Sequence, residues 1–291
     1  MKIEINHITQ IYKNKTKALD DITLDITPGL VGLLGRNGAG KTSLMRILAT
    51  VMQPSSGDVR FDGKPVAQNL PEFRAGLGYL PQNTKLMPYM NVFEFMDYMC
   101  VLKGINDKSK RNAEALRCIT LVGLQDQGKK ALGKFSGGML RRAGIAQALI
   151  GDPKFLIIDE PTTGLDPEEQ LYFLNLLTRV GGERTVLFST HIIQDVENIC
   201  ERVCILDYGT LLYQGTIDDL LLTVNDRLWQ CTAAPGEEQA LRDKAIVTRV
   251  AYTKGKPVIR YVAEKSVFDG SERVVPALED AFLYTLGGVK R

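Results

Sequence analysis

The sequence lacks the features that would indicate several other classes of protein. Its 291 residues include five cysteines without a CxxC spacing, so neither a disulfide framework nor a zinc ribbon is expected. The longest stretch without a charged residue is 11 residues, far short of the roughly 20 that a membrane-spanning helix needs. The first 17 residues carry charges throughout and lack an apolar segment, which predicts a chain without a secretory signal.

An excess of charge of one sign is also missing. The chain has 36 basic and 34 acidic residues, and a net charge of +2 does not indicate a nucleic acid or an anionic membrane as the partner. Hydrophobic residues make up 44% of the chain, enough to bury a sizeable core in one large or two ordinary domains. In this setting the cysteines are interpreted as small apolar packing residues of a reduced cytosolic protein.

The hydrophobic pattern predicts an α/β fold. Residues 2–11 and 22–26 alternate in the manner of strands and form an N-terminal β subdomain. Residues 30–34 are a short apolar run, typical of a strand buried on both faces, and a helix is expected from residue 42. Similar runs recur further along and alternate with helical stretches, which favours a parallel sheet flanked by helices. These later runs are 155–158, 186–189 and 203–206.

Two segments depart from this alternation. Residues 83–134 are predicted to be helical and to form an inserted subdomain, which a further helix extends to about residue 150. Residues 217–291 are predicted to form a small α+β appendage, with strands at 245–252 and 257–262 and a last helix that begins at Pro276. The remaining residues, up to about 216, would then form the main domain.

A glycine-rich segment between the strand at 30–34 and its helix matches the phosphate-binding pattern G-x-x-x-x-G-K-[ST]. Glycines let the backbone turn its N–H groups toward phosphate oxygens, and the helix start adds a positive dipole end. The lysine would reach the β- and γ-phosphates, and the hydroxyl that follows it is a suitable ligand for Mg²⁺. The predicted nucleotide-binding residues are Gly35, Arg36, Asn37, Gly38, Ala39, Gly40, Lys41, Thr42 and Ser43.

A carboxylate pair completes the predicted site. Asp159 and Glu160 follow the apolar run 155–158, and ligands of open α/β sheets lie at the carboxyl ends of the strands. Asp159 is predicted to hold Mg²⁺, and Glu160 to act as the general base that polarises the attacking water.

A second glycine motif lies after the helical insertion. Ser136 is expected to cap a helix, and Gly137 and Gly138 expose N–H groups at its start. Two such motifs flanking an insertion resemble the ATP-binding cassette of ABC transporters, whose signature is usually Leu-Ser-Gly-Gly-Gln. Phe135 and Met139 depart from that form, while the Ser-Gly-Gly centre is intact.

The resemblance covers residues 1 to about 216 and implies further roles. Tyr12 matches the aromatic residue that stacks on adenine. Gln82 matches the Q-loop, which joins the metal and the γ-phosphate to the helical subdomain and assists catalysis. Asp166 matches the D-loop, which contacts the opposite subunit, and His191 matches the catalytic switch histidine. The second histidine, His7, is expected to be a half-buried strand residue.

The family resemblance implies an ATPase that uses ATP and Mg²⁺ and drives a separate membrane permease. Two cassettes, as a homodimer or a heterodimer, would hold ATP between the glycine loop of one and residues 136–138 of the other. The protein would lie in the cytoplasm, on the inner face of the membrane. Residues 278–283 resemble the closing helix of cassettes that serve multidrug and lantibiotic exporters.

Other functions fit the sequence less well, and the alternatives that stay are a soluble ABC ATPase and an importer ATPase. A soluble ABC ATPase acting on DNA or the ribosome would carry a longer coiled-coil insertion or a second cassette. A GTPase would need a downstream Asn-Lys-x-Asp. A binding module without turnover fits poorly with Glu160, and an importer ATPase would share the same cassette chemistry.

Overall fold

The structure is a computed structural model that describes residues 2–84, 86–182, 184–234 and 236–287. Within these residues the strands are β1 (Ile3–Ile11), β2 (Lys17–Ile26), β3 (Gly29–Gly35), β4 (Ser56–Phe61), β5 (Lys64–Pro65), β6 (Leu77–Leu80), β7 (Phe155–Asp159), β8 (Thr185–Thr190), β9 (Arg202–Asp207), β10 (Thr210–Thr216), β11 (Leu228–Thr232), β12 (Ile246–Thr253), β13 (Lys256–Val262) and β14 (Glu272–Arg273). The helices are α1 (Lys41–Leu48), α2 (Leu70–Ala75), α3 (Val92–Leu102), α4 (Lys108–Leu121), α5 (Gly137–Ala148), α6 (Pro167–Gly181), α7 (Ile193–Ile199), α8 (Ile217–Asn225), α9 (Glu238–Arg242) and α10 (Leu278–Gly287).

The central sheet has the strand order β10-β9-β3-β8-β7-β6. All neighbours pair in parallel except β10, which pairs antiparallel with β9 at one edge. Strand β8 lies between β3 and β7, so the carboxyl ends of these three strands are adjacent. The predicted α/β fold with a parallel sheet is confirmed.

Hydrophobic cores lie on both faces of the central sheet, and β7 contributes to each. Its side chains alternate, so that Leu156 and Ile158 pack with the helical side, and Phe155 and Ile157 pack against the N-terminal side. This burial on both faces explains the continuous apolar run, because neither face of the strand meets water. The N-terminal side is covered by α1 and by an antiparallel sheet of order β2-β1-β4-β5.

The inserted segment contains α3 and α4, which pack against each other and against α5. Helix α3 begins with a capping box, in which Asn91 and Glu94 each satisfy a backbone N–H of the other. No helix lies between residues 86 and 91, so the helical part of the insertion begins later than the predicted residue 83.

The C-terminal segment is attached to the main domain through a shared core. Leu220 of α8 and Phe282 of α10 pack in the same hydrophobic cluster as the helices of the central sheet. Its own sheet, of order β12-β13-β11-β14, covers a smaller separate cluster. A buried ion pair between Arg260 and Asp280, with 3.0 Å between Nη1 and Oδ2, joins α10 to this sheet.

Two further expectations concern individual side chains. All five cysteines are free and buried, which confirms their interpretation as packing residues. His7 is largely exposed, contrary to the prediction, because an irregularity in β1 gives it a φ of 52° and turns its ring toward Asp21.

In the described part of the chain, no helix combines the length and apolar character needed to cross a membrane.

Candidate active site

A pocket of about 420 Å³ lies where β3, β8 and β7 end. The glycine loop follows β3, Asp159 ends β7, and His191 follows β8. The strand order therefore brings together residues that are far apart in the chain. The pocket is lined by Ala18, Asn37, Gly38, Ala39, Gly40, Lys41, Thr42, Ser43, Gln82 and Glu160.

The glycine loop has a conformation that requires glycine at two of its positions. Gly40 has a φ of 102° and caps α1, and a side chain on Gly35 would lie 2.5 Å from the carbonyl oxygen of Leu206. Helix α1 therefore begins at Lys41, and the free N–H groups of its first turn lie at the pocket. The helix dipole favours an anion there.

Lys41 is buried at the base of the pocket, with 5% of its surface exposed. Its Nζ donates hydrogen bonds to the carbonyl oxygens of Gly35 (2.7 Å) and Arg36 (3.2 Å). The same nitrogen lies 3.3 Å from Glu160 Oε1. A cation removed from water in this way interacts strongly with any anion that reaches it, because the surrounding dielectric constant is low.

Asp159 is held by two hydroxyl groups. Ser189 Oγ donates a hydrogen bond to Asp159 Oδ1 at 2.6 Å, and Thr42 Oγ1 donates to the same oxygen at 3.5 Å. Burial raises the pKa of Asp159, and the two hydrogen bonds act against this shift. A carboxylate beside a threonine hydroxyl is a pair of hard oxygen donors, which suits a divalent cation such as Mg²⁺.

Glu160 comes directly after Asp159 and has a φ of 49°. Its backbone N–H donates hydrogen bonds to the hydroxyl and carbonyl oxygens of Ser189. Thr163 Oγ1 donates to Glu160 Oε2 at 2.7 Å, and His191 Nδ1 lies 2.7 Å from the same oxygen. Burial by itself would raise the pKa of Glu160, but the Thr163 hydrogen bond and the neighbouring Lys41 and His191 outweigh it. The pKa therefore lies below its usual value, which keeps the carboxylate ionised.

Tyr12 and Gln82 lie at the two sides of the pocket. Tyr12 follows β1, and its hydroxyl is 3.0 Å from Ser43 Oγ, so its ring stands beside the glycine loop. Gln82 follows β6, and its carbonyl oxygen accepts a hydrogen bond of 2.6 Å from Arg141 of α5. This bond connects the loop that carries Gln82 to the helix that begins at the second glycine motif.

The second glycine motif lies away from the pocket. Ser136 caps α5 by accepting a hydrogen bond of 3.2 Å from the Met139 N–H, as the sequence predicts. Ser136 and Gly137 are exposed, Gly138 is buried, and none of the three is among the described residues that line the pocket. Asp166 is exposed and caps α6 by accepting from the Glu169 N–H at 2.9 Å.

Sequence reasoning missed three residues of this site. Ser189 binds both carboxylate residues, Thr163 binds Glu160, and Arg141 holds the Gln82 loop. A polar residue at the end of an apolar strand was the available signal for Ser189. Arg141 gave no such signal, because its contact depends on the packing of elements distant in sequence. Thr163 lies only three residues after Glu160, but its contact depends on the conformation of the loop that joins them.

Comparison with known proteins identifies the family. The family model described as ABC transporter matches residues 19–163. An uncharacterized ABC transporter ATP-binding protein of Synechocystis sp. is 37% identical over 249 residues, which are 82% of this chain and 69% of that protein. Nod factor export ATP-binding protein I of Cupriavidus metallidurans is 33% identical over 222 residues, 75% of this chain and 72% of that protein.

The fold has a counterpart among solved structures. A dimeric post-hydrolysis state of an ATP-binding cassette bound to ADP and phosphate matches with a TM-score of 0.67 and 24% identity, over 74% of this chain and 98% of that one. The chain belongs to the ABC transporter family, as an ATP-binding subunit with ATPase activity. The resemblance that the motifs indicated is thereby confirmed.

Proposed function

We propose that this chain binds MgATP in the described pocket and hydrolyses it to drive export through a separate membrane permease. The observation that carries the proposal is the convergence of Lys41, Thr42, Asp159, Glu160 and His191 at adjacent strand ends. A cation, two magnesium-type ligands and a carboxylate base are groups that support phosphoryl transfer to water, and an imidazole adds a further hydrogen-bonding group.

The assignment of individual groups follows from their positions. Lys41 and the N–H groups of the glycine loop would bind the phosphates, and the ring of Tyr12 would stack on adenine. Thr42 and Asp159 would hold Mg²⁺ with the side chain of Gln82, and the ion would neutralise charge on the phosphates. Glu160 would accept the proton of the attacking water, while His191 would donate a hydrogen bond to the terminal phosphate.

A second cassette completes the site in this proposal. Ser136 and Gly137 are exposed at the start of α5 and outside the pocket of their own chain, so their N–H groups are free to meet the nucleotide of a partner. The dimeric arrangement of the structurally similar cassette supports this pairing. Asp166 and its loop would contact the partner at the same interface.

The transport direction rests on relatives rather than on the pocket. The similarity to a Nod factor export protein and the closing helix at 278–283 favour export, and the permease would hold the chain at the cytoplasmic face of the membrane. Residues 1–216 would be the nucleotide-binding domain and residues 217–291 the appendage. A neighbouring reading frame for a polytopic membrane protein would support transport, whereas a nucleic-acid-processing neighbour would favour the alternative of a soluble ABC ATPase.

The catalytic assignment is tested by Glu160→Gln. This change keeps the size of the side chain but removes the charge that accepts a proton, so hydrolysis should fall by on the order of 10²–10⁴-fold. ATP affinity should survive, because Lys41, Thr42 and Asp159 are unchanged. Glu264→Gln, which removes an exposed carboxylate far from the pocket, is the matched control. Full ATPase activity in Glu160→Gln would contradict the assignment.

A further inference from the structure

The two carboxylate oxygens of Glu160 have different neighbours. Oε1 lies 3.3 Å from Lys41 Nζ, on the side of the glycine loop and the pocket. Oε2 is bound by Thr163 Oγ1 and by His191 Nδ1, each at 2.7 Å. The carboxylate therefore has one oxygen that faces the phosphate side and one that is held by the protein.

A glutamate carboxylate needs such a fixed contact. Its terminal torsion is broad, so the two oxygens are not oriented by rotamer preference alone. A hydroxyl group can donate only one hydrogen bond, and the Thr163 hydroxyl donates it to Oε2. Thr163 lies on a loop only three residues from Glu160, whereas the side chain of His191 is 39% exposed and approaches from another element. Thr163 is thus the more local constraint on the carboxylate.

The loop that carries Thr163 is itself anchored. The preceding residue, Thr162, is buried and donates a hydrogen bond to Asp195 Oδ2. Gln170 of α6 donates to the other oxygen of Asp195, which is fully buried on α7. Asp195 lies four residues after His191, so one buried carboxylate links the Thr162–Thr163 loop to the element next to His191. The loop that carries the Thr163 donor to Glu160 Oε2 is therefore anchored to α6 and α7 through Asp195.

We propose that Thr163 is a positioning residue for hydrolysis, which fixes Glu160 Oε2 so that Oε1 faces the attacking water, and that Asp195 holds its loop. The inference rests on the proposed role of Glu160 as the base. In that reaction the water oxygen bonds to the terminal phosphorus, the bond from phosphorus to the bridging oxygen of ADP breaks, and Oε1 takes a proton from the water.

The test removes the Thr163 hydroxyl and keeps the shape of the side chain. Thr163→Val should lower kcat for ATP by about 10-fold or more, the loss expected for a hydrogen bond to a charged group, and KM should stay within about two-fold. Thr163→Ser restores a hydroxyl and should recover most of kcat. Thr178→Val removes a hydroxyl that donates within α6 to the carbonyl oxygen of Leu174, and this variant should keep the original kcat.

A merely structural role is separated by repeating the change in the Glu160→Gln background. If Thr163 acts through the carboxylate, Thr163→Val should lower the residual rate there by less than about two-fold. Three results would each overturn the inference. They are a fall in kcat by the same factor in both backgrounds, full kcat in Thr163→Val, and a serine variant as slow as the valine variant. Thr163→Ala repeats the comparison without a branched side chain, so a folding defect particular to valine does not decide it.

The outcomes also separate this inference from the proposed function. If Glu160→Gln loses hydrolysis as expected but Thr163→Val keeps full kcat, the positioning role is rejected and the base assignment stands. Full activity in Glu160→Gln itself rejects the base assignment on which the positioning role depends.

Discussion

The proposed function places an anion at two helix N-termini of this molecule, and these two helix starts differ in burial and in charge. Helix α1 begins at a pocket of about 420 Å³ and carries the buried Lys41 in its first turn. Helix α5 begins at exposed residues, Ser136 and Gly137, and its first turn has no lysine or arginine. The start of α1 has the groups needed to hold a phosphate within one chain. The start of α5 offers backbone donors without a cation in the first turn, so its ligand would have to be held mainly by another chain.

The difference in charge predicts a difference in strength. A buried ammonium contributes a full charge in a medium of low dielectric constant. A helix end contributes the equivalent of roughly half a charge, and solvent screens it where it is exposed. ATP should therefore bind first and firmly at α1, and the start of α5 should add its contacts only when a second cassette closes. In the proposed mechanism, a weak second contact would let the dimer open again after each turnover.

The largest effect is expected from removing the charge at α1. Lys41→Ala should weaken MgATP binding by on the order of 100-fold or more, because it removes charge-assisted hydrogen bonds to phosphate. The fold should persist, since Lys41 lies at the start of α1, at the base of the pocket, and not among the hydrophobic clusters. Calorimetric titration measures the affinity, with Lys108→Ala as the exposed control at the start of α4. Unchanged affinity would mean that the pocket is not the nucleotide site.

A smaller loss of ATP affinity is expected from changing Tyr12, which lies beside the glycine loop. Tyr12→Ala should weaken ATP binding by roughly 1–3 kcal/mol if the ring stacks on adenine. Tyr12→Phe keeps the ring and loses only the hydrogen bond to Ser43, so its loss should be about 1 kcal/mol or less. The same titration compares the two variants. A phenylalanine variant as weak as the alanine variant would show that the hydroxyl group matters and the ring does not.

The smallest effect is expected at α5, where neighbouring glycines provide an internal control. A side chain on Gly137 would meet nothing within its own chain, whereas one on Gly138 would lie 2.2 Å from the carboxylate of Glu169. Gly137→Ala should keep the Tm and the ATP affinity of a single chain. It should lower steady-state hydrolysis by about 10-fold, because the added methyl group would keep a partner's phosphate from forming one of its hydrogen bonds to the N–H groups at this helix start. Gly138→Ala should instead lower the Tm through the α5–α6 contact. Normal hydrolysis in Gly137→Ala would argue against a partner at this surface.

Local patterns predicted the parts of this structure that depend on local physics. The glycine loop, the buried strand β7 and the Ser136 cap each follow from backbone conformation or side-chain periodicity within a few residues. The start of the helical insertion was placed too early, because Leu86 and Met90 pack against the hydrophobic cluster without forming a helix, while Met87 and Tyr89 are exposed.

Contacts between distant elements were beyond such patterns. The hydrogen bond from Ser189 to Asp159 exists because β8 is placed next to β7, and strand order is a property of the whole fold. The exposure of His7 depends on an irregularity in β1 that strand alternation does not reveal. The domain boundary at residue 216 stays a prediction. Helices α8 and α10, which lie beyond this boundary, share a hydrophobic core with the central domain.

The central claim is that the donors of α5 complete a site on a second copy of the chain, and sedimentation of Glu160→Gln tests it most directly. With hydrolysis blocked, ATP should remain between two cassettes, so the variant should sediment as a monomer without nucleotide and as a dimer with MgATP. Adding Gly137→Ala to the same chain should weaken the dimer while leaving ATP binding to each copy intact. A Glu160→Gln variant that binds ATP and stays monomeric at all concentrations would contradict a site shared by two identical copies.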